Sequence, residues 1–66
     1  MVYETKIIYD PLQIFKDSGV DISGDEPIVF GLSDKSEQDS INDALKNYSN
    51  CGYFPHQIVS VESKQY

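Results

Sequence analysis

The sequence predicts a small α+β domain: an about three-stranded, mainly antiparallel sheet, one principal helix packed on one face, and a short helix or loop after strand 1. Three observations carry that expectation. Two segments, near the ends of the chain, alternate apolar and polar residues at the strand period. A short apolar run opens on Pro27, and residues 35–49 carry a single apolar stripe at helical spacing.

Val2 to Tyr9 reads as the first strand, with Tyr3, Ile7 and Tyr9 on one face and Glu4 and Lys6 on the other. Asp10 then supplies a cap, Pro11 a first helical residue and Gly19 a stop, so a short helix is expected over Pro11–Asp17. Leu12 and Phe15 would share its inner edge. Ser18 to Glu26 reads as a loop that tacks Val20 or Ile22 onto the core. Pro27 to Leu32 is nearly continuous in apolar residues, which predicts burial on both faces or a central place in the sheet.

Ile41, Ala44, Leu45 and Tyr48 stand at i, i+3, i+4 and i+7 and predict the inner stripe of the long helix. Two capping boxes compete at its start, Asp34 with Glu37 and Ser36 with Asp39. Asn50-Cys51-Gly52 ends it. The last strand is expected over Gln57–Glu62, with Val59 and Val61 on one face and Ile58 and Ser60 on the other. Residues 63–66 read as a frayed tail. The strand–helix–strand stretch from Pro27 to Glu62 also fits a parallel crossover, so the direction of the last strand stays open.

The chain has 66 residues, five of them basic and eleven acidic, for a net charge of −6. A single domain over 1–66 is expected, and one this size buries only about 60% of the surface its unfolded chain exposes. No apolar run reaches the roughly 18 residues of a membrane span, and no secretory leader is visible, so a cytoplasmic protein is expected. Residues 10–43 hold nine acids against Lys16 and Lys35, and the protein has no arginine. That balance repels nucleic-acid backbone and anionic membrane alike, which argues against either as a direct partner.

Catalytic signals are absent. Cys51 and His56 are the only thiol and imidazole, and no third residue is nominated to orient them. One Cys and one His fall short of a metal site, and Asp21 to Glu26 misplaces the glycine of a calcium loop. The glycines form no phosphate cradle. Neither enzyme nor cofactor is expected.

The remaining reading is a protein-binding module. Asp17, Asp21, Asp25, Glu26, Asp39 and Asp43 are candidates for one negative face that meets a basic surface on another protein, with Tyr53 and Phe54 as aromatic anchors beside it. Its narrower form is mimicry of nucleic acid. Asp39 and Asp43, at i and i+4, approach the roughly 6–7 Å between successive phosphates. In size, charge and want of catalytic residues the chain is similar to the small acidic proteins with which bacteriophages and mobile elements inhibit host factors. That likeness rests on no motif and carries over no residue. The competing expectation is a structural subunit whose sheet face or edge strand pairs with a copy of itself, charge serving only solubility.

Overall fold

A computed structural model describes residues 1–24 and 26–66, and Asp25 lies outside the described residues. The elements run β1 (Tyr3–Tyr9), α1 (Pro11–Ser18), β2 (Ile28–Ser33), α2 (Glu37–Asn50), a 3-10 turn (Pro55–Gln57) and β3 (Ile58–Gln65). The expected α+β architecture is present: a three-stranded antiparallel sheet in the order β2-β1-β3, with α2 laid across it. Since β2 and β3 both run opposite to β1, they point the same way on either side of it. The strand–helix–strand stretch is therefore a crossover that spans β1.

Local chemistry explains the helix ends. Asp10 takes an extended conformation and its Oδ1 accepts from the Leu12 N–H at 3.0 Å, with Pro11 following where no N–H is needed. Gly19, at φ 76°, closes α1 by donating its N–H to the Phe15 carbonyl at 2.8 Å. At α2 the competition between caps goes to Ser36, whose Oγ accepts from the Asp39 N–H at 3.1 Å.

Packing departs from the expected faces on both helices and on two strands. On α1 the buried residue is Ile14, while Leu12 and Phe15 face solvent. Two of α2's four expected inner residues hold, and the stripe that contacts the sheet is Ser40, Ala44 and Tyr48, with Leu45 41% exposed. The cause is Gly31. A Cβ there would overlap the Ala44 backbone N and the Ser40 carbonyl, so only glycine lets α2 come this close. At that separation small side chains fill the contact and Leu45 is pushed to the rim.

Within the sheet, β2 is an edge strand with Phe30 and Leu32 exposed, and the central strand is β1. The other correction there is β3. It runs on to Gln65, so residues 63–66 are not a frayed tail. Val2 and Tyr66 exchange backbone hydrogen bonds of 3.3 and 2.7 Å, and the Tyr66 hydroxyl donates to Glu4 at 3.1 Å. The register pairs Ile58 with Tyr9 and Val61 with Ile7, both core-facing residues of β1. A register shift between Ile8 and Tyr9 absorbs the extra residue and breaks the simple alternation read along Ile58–Val61.

Ile7, Tyr9, Ile14, Ala44 and Tyr48 form the core, with Ile22, Val29, Tyr53 and Ile58 packed against it. The rings of Tyr9, Tyr48 and Tyr53 meet at centroid distances of 4.8 to 5.8 Å. Beside them lies a polar contact: Thr5 Oγ1 bonds to Ser40 Oγ at 2.7 Å and to Ser63 Oγ at 2.9 Å, and Ser40 donates to the Glu37 carbonyl at 2.7 Å. Each hydroxyl is satisfied, which offsets its desolvation.

Candidate functional site

The expected acidic face divides into residues with internal partners and residues left to solvent. Asp17 has partners. It is the last carboxylate of α1, and its Oδ2 meets His56 Nε2 at 2.5 Å and Gln57 Nε2 at 2.9 Å, while Oδ1 accepts from Gln13 at 2.9 Å. The Gln57 and His56 hydrogen bonds, aided by Gln13, lower its pKa below the ordinary aspartate value. The cluster ties α1 to the turn before β3. Asp43 also has a partner: its Oδ2 accepts from the Leu32 N–H at 2.9 Å, and Asn47 one turn on donates to the Phe30 carbonyl at 2.8 Å. Both backbone groups point away from β1, so α2 covers part of the free edge of β2 with its own side chains.

Asp21 accepts from the Ser23 backbone and hydroxyl, at 3.0 and 2.7 Å, which lowers its pKa and shapes the loop. Its carboxylate remains on the surface. Glu26 and Asp39 are exposed. Asp34, which the sequence suggests only as a capping residue, is exposed as well, and Glu37 stands at the start of α2 within reach of solvent. Asp34, Asp39 and Asp43 line one shallow depression, and Lys35 and Lys46 line it with them. The carboxylates there are interleaved with ammonium groups.

The two aromatics part company. Tyr53 is half-buried among the core tyrosines, whereas Phe54 is 59% exposed, its ring stacked on His56 at 6.0 Å and 15°. The Phe54 backbone is held from both sides, by Tyr48 Oη on its carbonyl and Gln57 Oε1 on its N–H, each at 2.8 Å. Phe54 is thus presented by a turn pinned at both of its backbone polar groups.

The sheet carries a different surface. Its face opposite α2 shows Phe30 and Leu32 beside Glu4, Lys6, Glu62 and Lys64, and Lys6 pairs with Glu62 at 3.6 Å. These four charges cancel, so the helices and loops between β1 and β3 carry the whole −6. Among the described residues no three His, Cys, Asp or Glu side chains gather to hold a metal ion. No helix there is long and apolar enough to cross a membrane.

No protein-family model, curated protein or solved structure matches the chain.

Proposed function

We propose that the protein is a non-enzymatic binding module, an inhibitor or modulator, that docks its acidic helical layer on a basic surface of another protein. The observation that carries this reading is the segregation of charge. The sheet strands are electrically balanced, and the excess lies on the helices and loops, where Asp21, Glu26, Asp34, Glu37 and Asp39 are exposed. Excess negative charge of this kind speeds encounter with a basic patch. Phe54 supplies an exposed apolar anchor for such a contact. The lysines among the acids of α2 favour a protein partner over strict imitation of a phosphate backbone, which has no positive positions.

Charge reversal tests this reading where it leaves the fold alone. Asp34→Lys with Asp39→Lys changes two exposed carboxylates and spares Asp17 and Asp43, which hold the fold together. Proteins captured from lysate by the wild type should be lost or weakened at least about tenfold with the double variant, equivalent to about 1.4 kcal/mol. Equal capture by a folded double variant would remove the acidic layer from the binding surface.

A further inference from the structure

The two edges of the sheet are finished differently. On β2, Asp43 accepts from the outward Leu32 N–H and Asn47 donates to the outward Phe30 carbonyl. On β3, residues 61–65 are exposed and α2 leans over β2 and β1 instead. The reciprocal bonds between Val2 and Tyr66 fix which groups are free. In an antiparallel pair hydrogen-bonded and non-bonded positions alternate, so Lys64 and Glu62 bond to β1 while Val61, Ser63 and Gln65 direct their N–H and C=O groups outward. No proline and no bulge interrupts this stretch.

We propose that β3 pairs with β3 of a second copy across a two-fold axis centred on Ser63, joining two sheets into one of six strands. The outward groups leave few symmetric registers, because Val61, Ser63 and Gln65 must meet one another. A centre between Val61 and Ser63 sets Glu62 against its own copy, and a centre between Ser63 and Gln65 does the same for Lys64. Like charges directly opposite are unfavourable. A centre on Val61 runs the pairing into the irregularity beside Ile58. A centre on Gln65 sets Lys64 against Tyr66 and forms no opposite-charge pair, so the centre on Ser63 is the register favoured by charge. It sets Glu62 opposite Lys64 of the second copy, twice by symmetry.

The pairs already present in one chain extend the match. Lys6 stands beside Glu62 and Glu4 beside Lys64. Across the joined sheet each row therefore reads Lys6, Glu62, then Lys64 and Glu4 of the second copy, alternating in sign throughout. Lysine on an edge strand ordinarily discourages pairing; in this register it is the residue that selects it. The contact lies on the balanced part of the molecule, so joining there sets no excess charge against excess charge. It also leaves the helical layer open, and the dimer stands or falls independently of the proposed function.

Sedimentation equilibrium reads the outcome directly. The wild type should sediment at twice its 7.5 kDa. Glu62→Lys sets Lys against Lys64, and Lys64→Glu sets Glu against Glu62, so each variant alone should dissociate at least about tenfold more readily. Glu62→Lys also lowers the net negative charge, so its dissociation would trace to the local pairs and not to overall repulsion. Mixing the two variants restores both opposite-charge pairs across the interface and should restore the dimer. Ser63→Pro removes an outward N–H and no backbone bond to β1; it also gives up the Oγ contact with Thr5, which keeps its bond to Ser40, and should give a folded monomer, checked by circular dichroism. A wild type that stays monomeric at millimolar concentration would overturn the proposal. So would a dimer that survives both charge variants, or variants that do not pair when mixed.

Discussion

Gly31 sets how close α2 sits to the sheet, and the neighbouring residues follow from that distance. Ser40 and Ala44 are fully buried against it because nothing larger fits, and Thr5 answers Ser40 with a hydrogen bond. None of these reads as core in a sequence, Ala44 aside, since Ser, Thr and Gly carry little apolar weight. At the same scale Asp17 is a fold residue rather than a free surface acid. Its pKa is lowered in the folded state, so the unfolded chain takes up its proton first as pH falls. The stabilisation is complete above the unfolded value and is lost as pH drops through the folded one. Thermal melts between about pH 5 and pH 2 should show the wild type losing stability more steeply than Asp17→Asn. Parallel curves would mean that the contacts to Gln57 and His56 contribute nothing to the fold.

Elements whose signals are local are legible in the sequence. Asp10, Pro11 and Gly19 bound α1 because capping depends on a few neighbouring residues, and the alternation of β1 survives because α2 covers one face of it and solvent meets the other. Faces set by distant partners are not legible. The apolar run of β2 suggests a central strand, yet Phe30 and Leu32 lie on the uncovered side of an edge. The helical spacing of Leu45 suggests core, but the Gly31 contact turns α2 so that Leu45 sits at the rim. Ile14→Ala should therefore cost about 2–5 kcal/mol, as for a buried aliphatic residue, and Leu45→Ala clearly less. Chemical denaturation compares the two. The reverse order would mean that α2 turns the Leu45 side of its apolar stripe inward.

At the scale of the whole molecule, charge and hydrogen-bonding capacity are distributed unevenly, and the proposed roles follow that distribution. The excess of acid is visible in local composition alone, but composition does not show which carboxylates are engaged within the fold. Asp17 and Asp43 belong to the expected binding face, and long-range contacts give them structural partners. The candidate site is accordingly narrower than the sequence implies. It rests on Asp21, Glu26, Asp34, Glu37 and Asp39, with Phe54 beside the helical layer. The finish of the two sheet edges, one partly covered by α2 side chains and one not, has no counterpart in composition at all.

The central claim is that this layer meets a basic protein surface through charge. Its most direct test is affinity capture from host lysate at about 50 and about 500 mM salt, between which the screening length shortens roughly threefold. The account predicts a dominant basic protein retained at low salt and released at high salt. A dominant partner held equally at both, or no partner at either, would contradict it.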